Sequence, residues 1–417
     1  MPDDRAIGWY VHLPFCTTKC GYCDFYSLPT LPGLVDGLVE AILRELALRD
    51  PGRPVETIFI GGGTPTVLPA DALGRILTEV AARAGRVTEF TVEANPSSTD
   101  KLKLDLLRRH GVNRISFGAQ SFNPNELAVL ERLHDPRHIT ESVRAARAAG
   151  FDNINLDLIY GIPGQSHASW RESLTRAIDL GTQHLSCYSL MYEPGTSLTR
   201  LRADGRIQPC EESLEADMFE MTIDLLSAAG FEHYEVSNFA RAGRQCRANV
   251  IYWENREYLG IGPSAVSCLE GVRRKNIADV RRYIERLTAE FSIASEPRPR
   301  DRDAPVAELS VLNLSAASCA PTEALVVEEE CLTPLARACE TAVQMLRLTD
   351  GVRYRRFTEL SGYDAKQLFS EELARLARLG LLVVDADGFR LTRQGMLVAN
   401  EVMQGFLLDD SAVGRIS

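Results

Sequence analysis

Three cysteines crowd into eight residues near the start of the chain, in Tyr10-Val-His-Leu-Pro-Phe-Cys16-Thr-Thr-Lys-Cys20-Gly-Tyr-Cys23-Asp-Phe-Tyr. The spacing is Cys-x3-Cys-x2-Cys. Three thiolates on one tight loop can hold three irons of a [4Fe–4S] cubane, which leaves the fourth iron without a protein ligand. An open iron can chelate the amino and carboxylate groups of S-adenosylmethionine. An electron passed to the sulfonium can then cleave a C–S bond and release a 5′-deoxyadenosyl radical. Zinc would want a fourth ligand, commonly from a second Cys/His pair, and none stands at a typical spacing. His12 is near, but the strand should point it away. A disulfide would need an oxidising compartment. The other seven cysteines (Cys187, Cys210, Cys246, Cys268, Cys319, Cys331 and Cys339) are scattered and read as small buried hydrophobes or incidental thiols.

Further polar or glycine positions fall where strands should end. Gly61-Gly62-Gly63-Thr64-Pro65 follows the second strand, and such a turn lets a ligand approach the backbone. The ligand expected there is the methionine end of S-adenosylmethionine. Glu93 lies at the end of the third strand, Gln120 just after the fourth and Asp157 near the end of the fifth. Any one alone reads as a helix cap or a loop turn. Five successive strand ends doing so read as one shared site, because the ends of a parallel β/α sheet open on one face.

The elements that would carry these residues alternate. Strands are expected over Gly8–Leu13, Glu56–Ile60, Glu89–Ala94, Asn113–Gly118, Asn153–Ile159 and His184–Leu190. Helices are expected over Gly33–Leu48, Ala70–Ala84, Thr99–His110, Pro124–Arg132, Ile139–Ala149, Ala168–Leu180 and Glu211–Ala229. Strands alternating with helices of this length predict a parallel sheet with crossover helices. The expected class is α/β, a partial (β/α)6-type TIM barrel over 1–290, with Tyr234–Phe239 and later short strands extending the sheet. Residues 291–335 hold Pro-Arg-Pro-Arg-Asp-Arg-Asp, a run of small residues and Glu328-Glu329-Glu330, and read as a linker or insertion open to disorder. Over 336–417, a helix at Glu371–Leu379, a hairpin of Leu381–Val384 with Gly388–Leu391 and a helix at Thr392–Gln404 predict a small winged-helix-like α+β domain.

A chain of 417 residues has room for one large and one small domain, and 45% hydrophobic with 25% charged residues is an ordinary globular mixture. No apolar run approaches the ~20 residues that cross a bilayer. The first residues lack a signal pattern, so a cytoplasmic location is expected. A net charge of -11 argues against a general nucleic-acid binder.

With these motifs in hand, the sequence resembles radical S-adenosylmethionine proteins of the oxygen-independent coproporphyrinogen III oxidase family, in its HemW-type heme chaperone branch. The resemblance spans nearly the whole chain. It rests on the cysteine segment, Ile60-Gly-Gly-Gly-Thr-Pro-Thr, Val92-Glu-Ala-Asn-Pro, Ser116-Phe-Gly-Ala-Gln-Ser-Phe, Asp157-Leu-Ile-Tyr-Gly-Ile-Pro, Glu193-Pro-Gly-Thr, His233-Tyr-Glu-Val-Ser-Asn-Phe-Ala and Leu259-Gly-Ile-Gly-Pro. It implies that Cys16, Cys20 and Cys23 bind the cluster and that Tyr10 and Tyr22 lie beside cluster and cofactor. Gly62, Gly63 and Thr64 would contact the methionine moiety. Glu93, Gln120, Arg132 and Asp157 would position polar parts of S-adenosylmethionine. No residue is assigned a catalytic role.

The resemblance also implies two alternative functions. One is a chaperone that binds heme and hands it to an acceptor protein, with transient contact to a membrane protein left open. The other is an enzyme, the oxidase that decarboxylates coproporphyrinogen III in porphyrin biosynthesis. The oxidase carries a further cysteine where Phe25 stands, and an N-terminal arm for which the fifteen residues before Cys16 leave no room. Both points favour the chaperone. The chaperone branch shows His-Asn-x-x-Tyr-Trp after Cys-Arg, and the histidine position here is Ala248, beside Cys246, Tyr252 and Trp253. His233 and Cys246 stand as substitute heme ligands, each better read as structural, and Tyr252 and Trp253 could line a porphyrin or simply pack.

Overall fold

Ile7–Leu13 (β1) buries six of its seven side chains, polar-face alternation being absent. A strand apolar on both faces must be covered on both sides, as in parallel sheets with crossover helices. The computed structural model, which describes residues 6–295 and 325–408, shows that arrangement. β1 is followed by Pro32–Arg49 (α1), Val55–Gly62 (β2), Ala70–Ala84 (α2), Glu89–Ala94 (β3), Lys101–Arg109 (α3) and Arg114–Gln120 (β4). Pro124–Val129 (α4), Pro136–Ala148 (α5), Ile154–Tyr160 (β5), His167–Asp179 (α6) and His184–Ser189 (β6) continue the pattern, closed by Ser197–Ala203 (α7) and Glu212–Ala228 (α8). Side-chain caps start several helices where they do: Asp100 accepts from Lys103 N–H, Asp135 from Arg137 N–H and Ser166 from Ser169 N–H.

Strands β1 to β6 lie side by side in chain order and all run parallel. That is the order of a six-unit partial barrel. Beyond β6 the sheet turns antiparallel through Glu232–Glu235 (β7) and Asn238–Ala240 (β8), with β8 lying between β6 and β7. The run expected as one strand over Tyr234–Phe239 is therefore a hairpin. Arg247–Trp253 (α9) crosses back, so that Tyr258–Ile261 (β9) pairs parallel with β1. Val266–Leu269 (β10), Val272–Asn276 (β11) and Val326–Cys331 (β12) extend that edge antiparallel, making twelve strands.

The stretch 291–335, expected as linker or insertion, carries structure at both ends. Residues 291–295 finish the helix Val280–Ser295 (α10), and β12 is a sheet strand. Its three glutamates explain why. Glu330, Glu329 and Glu328 sit opposite Arg273, Arg274 and Lys275, with ion pairs of 2.8, 2.7 and 3.0 Å. A charge run that looks like solvated linker is half of a cross-strand ladder. The middle of that stretch lies outside the described residues.

The C-terminal part has its own core. Pro334–Met345 (α11), Val352–Arg353 (β13), Tyr354–Ser361 (α12), Ala365–Leu368 (α13), Ser370–Arg378 (α14), Leu382–Val384 (β14) and Gly388–Leu391 (β15) precede Arg393–Leu397 (α15) and Ala399–Gln404 (α16). The sheet order is β13-β15-β14, the wing of a winged-helix-like unit. Its centre is aromatic, with Phe389 stacked on Phe406 at 5.3 Å and Phe369 edge-on to Phe406 at 5.0 Å. The helix expected over Thr392–Gln404 breaks at Val398 into α15 and α16. No helix among the described residues is long and apolar enough to cross a membrane.

Candidate functional site

The C-terminal ends of the parallel strands open into a cavity of about 430 Å³. Cys16, Cys20 and Cys23 form one wall. The loop that carries them is closed at its base, where Leu28 N–H donates to Pro14 O at 2.9 Å and Thr30 N–H to Cys16 O at 3.0 Å. Its far side is held by Gly21, whose N–H donates to Leu130 O and whose carbonyl accepts from Leu198 N–H. The glycine turn after β2 zips onto the same loop: Gly63 N–H donates to Leu13 O at 2.8 Å and Thr64 N–H to Phe15 O at 2.7 Å.

This packing changes the reason for the glycines. A Cβ on Gly63 would sit 2.5 Å from Phe15 O. One on Gly62, where φ is +103°, would sit 2.4 Å from the His12 ring, and one on Gly61 2.5 Å from Glu93 Oε2. The protein's own backbone and side chains need this space before any ligand arrives.

The thiols have little charge compensation from the protein beyond the Arg132 guanidinium. Burial pushes the Cys16 thiol up and the Cys23 thiol up to about 11. Cys16 Sγ meets the Thr64 hydroxyl at 3.7 Å, and Cys20 Sγ accepts from Arg132 Nη1 at 3.3 Å. A zinc ion would draw its thiolates to roughly 2.3 Å of one point. Among the described residues no three His, Cys, Asp or Glu side chains gather around such a point. His12 is turned away as expected: its ring nitrogens meet Tyr26 O at 2.9 Å and the Tyr10 hydroxyl at 3.1 Å.

Opposite the thiols stand two carboxyls. Glu93 Oε2 accepts from Gly62 N–H at 3.0 Å. Burial, and then the charge of Asp157, push its pKa up to about 7. Burial also raises Asp157, against the hydrogen bonds that hold its charge: Ser116 Oγ donates at 3.1 Å and Asn155 Nδ2 at 2.9 Å. Gln120 lines the cavity with φ +63°. Arg132 donates from Nη2 to Gly118 O at 2.6 Å, and its Nε is buried with no partner. Three thiols sharing one guanidinium, two acidic groups whose pKa values burial raises and an orphaned guanidinium N–H fit an iron–sulfur cluster plus a zwitterionic, sulfonium-bearing ligand.

Tyr22, Gly62, Gly63, Thr64, Glu93, Gln120, Arg132 and Asp157 all line the cavity. Tyr10 does not; its hydroxyl is bonded to His12, two residues further along the same strand. The sequence reading missed Ser116, Gly118, Tyr188 and Met191, which also line it. It also missed a polar chain behind the site. Asn155 Oδ1 accepts from His184 Nδ1 at 2.6 Å, His184 Nε2 meets the Tyr234 hydroxyl at 2.9 Å, and that oxygen accepts from Cys246 N–H at 3.3 Å. Inward-facing polar residues at alternate positions of β5 and β6 were the available signal.

The other candidates lie at the opposite ends of the strands. Cys246 Sγ and the N–H groups of Arg247 and Ala248 all donate to Glu89, the first residue of β3. Tyr252 packs edge-on to Tyr258 at 4.6 Å, and the Arg347 guanidinium covers Trp253 at 4.3 Å. His233 is stacked on Phe239 at 4.3 Å with Nε2 bonded to Val236 O. These are packed positions, and the Trp253 indole N–H is buried without a hydrogen-bond partner.

The Radical SAM superfamily matches residues 10–177, and the HemN C-terminal domain matches residues 332–398. The heme chaperone HemW of Bacillus subtilis (strain 168) is 35% identical over 406 residues, covering 95% of this chain and 98% of that one. The chain belongs to the HemW family of radical S-adenosylmethionine proteins. Escherichia coli (strain K12) heme chaperone HemW is 40% identical over 266 residues, 62% of this chain and 69% of that one. Among solved structures, coproporphyrinogen III oxidase (HemN) from Escherichia coli superposes with TM-score 0.77 over 97% of this chain and 90% of that one, at 24% identity, and thus shares the fold. The cofactors that belong to a radical S-adenosylmethionine fold are a [4Fe–4S] cluster and S-adenosylmethionine.

Proposed function

We propose that the chain is a heme chaperone, binding a [4Fe–4S] cluster through Cys16, Cys20 and Cys23 and carrying heme at the mouth of the same cavity for transfer to an acceptor protein. The observation that carries the heme reading is the rim. Phe25 (63% exposed), Leu133 (70%), Met191 (57%) and Tyr188 (39%) all border this cavity. Large apolar side chains left in water around one opening mark a surface that an apolar partner covers. A flat, largely apolar macrocycle is such a partner. The names of the relatives in Bacillus subtilis and Lactococcus lactis, both heme chaperones, support the same reading.

Within the site, Gly62, Gly63 and Thr64 offer backbone to the methionine moiety of S-adenosylmethionine. Glu93 and Asp157 face its cationic and hydroxyl groups, and Gln120 and Tyr22 close the walls. The cluster and S-adenosylmethionine together supply one-electron chemistry at a C–S bond. The family's Cys-Arg-x-Asn segment does not hold heme in this reading, because Ala248 has no ligating atom and Cys246 is engaged by Glu89. The cytoplasm, where thiols stay reduced, is the proposed location.

Anaerobic titration with heme tests the proposal. A stoichiometric Soret change is expected in the wild type and in the His233→Ala and Cys246→Ala variants, and a weakened one in Phe25→Ser/Met191→Ser. No stoichiometric change in the wild type would sink the chaperone reading. Protoporphyrinogen formed from coproporphyrinogen III by the reconstituted protein would establish the oxidase instead.

A further inference from the structure

The turn after α4 grips the cysteine loop at two points. Leu130 O accepts from Gly21 N–H at 3.3 Å, and two residues later Arg132 Nη1 donates to Cys20 Sγ at 3.3 Å. Between them Glu131 takes a left-handed conformation, φ +56°, and its carboxylate is bonded by Ser197 Oγ at 2.8 Å. Non-glycine residues adopt that conformation at a cost, so the surrounding structure must impose it. Here it reverses the chain and sends Arg132 into the cavity. The other nitrogen of the guanidinium fork is anchored on Gly118 O at 2.6 Å, at the end of β4. Both Nη atoms are thus engaged by the protein, and Nε is left without a partner.

We propose that Arg132 is a positioning residue for the cluster, fixing the middle cysteine ligand and raising the cluster's reduction potential through its charged hydrogen bond to Cys20 Sγ. The inference rests on the reading of the three cysteines as cluster ligands. Reduction adds one negative charge to the cluster. A guanidinium within hydrogen-bond distance of a ligand sulfur stabilises that charge more than the oxidised state, and hydrogen bonds to the sulfurs are an established lever on such potentials. The direct hydrogen bond goes to Cys20, while Cys16 Sγ meets the Thr64 hydroxyl at 3.7 Å.

The test compares wild type, Arg132→Met and Arg132→Lys, each reconstituted anaerobically. Iron per chain is measured first, then the midpoint potential by EPR-monitored redox titration without S-adenosylmethionine. Arg132→Met is expected to keep its iron and to titrate more negative, with the reduced-to-oxidised ratio at a fixed potential at least tenfold lower, about 59 mV for one electron. Arg132→Lys keeps the charge but loses the planar fork, and is expected between the two. Variants that titrate at the wild-type midpoint, with only S-adenosylmethionine binding weakened, would overturn the proposal. Should Arg132→Met take up no iron, Arg132→Lys decides by the same criterion. A wild-type chain that takes up no iron would remove the cluster reading itself, a result distinct from an unshifted midpoint.

Discussion

At the scale of single residues, Glu93, Cys16 and Cys23 respond to the same condition, burial. Glu93 titrates near 7 in the folded protein against an ordinary 4.5. Between those values the native state binds more protons than the unfolded chain, so stability falls as pH rises through that window. Denaturation of the cofactor-free protein from pH 4.5 to 7.5 is expected to show this slope, and Glu93→Gln is expected to flatten it. Parallel curves for the two proteins would refute the assignment. Replacing Cys16, Cys20 or Cys23 singly by serine should reduce iron per reconstituted chain to near zero while the far-UV dichroism stays unchanged. The cysteines were legible in the sequence because cluster ligands on one loop are also neighbours in the chain. Arg132 was legible as a cation near the site, but its engagement with Cys20 and Gly118 depends on the left-handed turn at Glu131, which no residue type announces.

At the scale of elements, the glycine turn and the polar chain behind β5 show how the site is held. Gly63→Ala would force Cβ against Phe15 O and Leu13 O and push the cysteine loop off β2. A loss of roughly 1–3 kcal/mol in chemical denaturation, with lower iron content, is expected; an unaltered iron content would show that the loop tolerates the shift. Tyr234→Phe removes the hydroxyl that joins His184 to the Cys246 N–H. Leaving those two buried groups unpaired should cost about 1–3 kcal/mol. The strands and helices of the barrel were readable because apolar runs and 3.6-residue periodicity are local. The hairpin at β7–β8 was not. Its turn at Val236-Ser237 holds no glycine or proline, and is held instead by the Val236 N–H bond to Arg347 O in another domain.

At the scale of the whole molecule, the barrel and the C-terminal domain have separate cores and meet at charged contacts. Arg347 lies 3.6 Å from Glu235, a fully buried carboxylate, and stacks on Trp253. Burial raises the pKa of Glu235, and Arg347 offsets only part of that rise. Arg347→Met should therefore destabilise the protein by about 3 kcal/mol at neutral pH. The loss should shrink as pH falls, because a protonated Glu235 no longer needs the cation. A loss independent of pH would show that packing on Trp253, rather than the ion pair, is what matters. The β11–β12 ladder is exposed, so reversing Glu329 to Lys should cost under about 1 kcal/mol, and less still in high salt.

The sequence by itself determined the cysteine loop, the alternation of strands and helices, the face on which the cavity opens and the family. Each of these follows from local spacing or from period. Only the tertiary structure decided that Tyr10 faces His12 rather than the cavity, that the three glycines serve the protein's own packing, and that Glu328–Glu330 form a sheet edge. It also placed Cys246 and Ala248 at the far end of the barrel from the three cysteines. Such facts depend on which strand lies beside which, and residues hundreds of positions apart become neighbours only when the sheet is assembled.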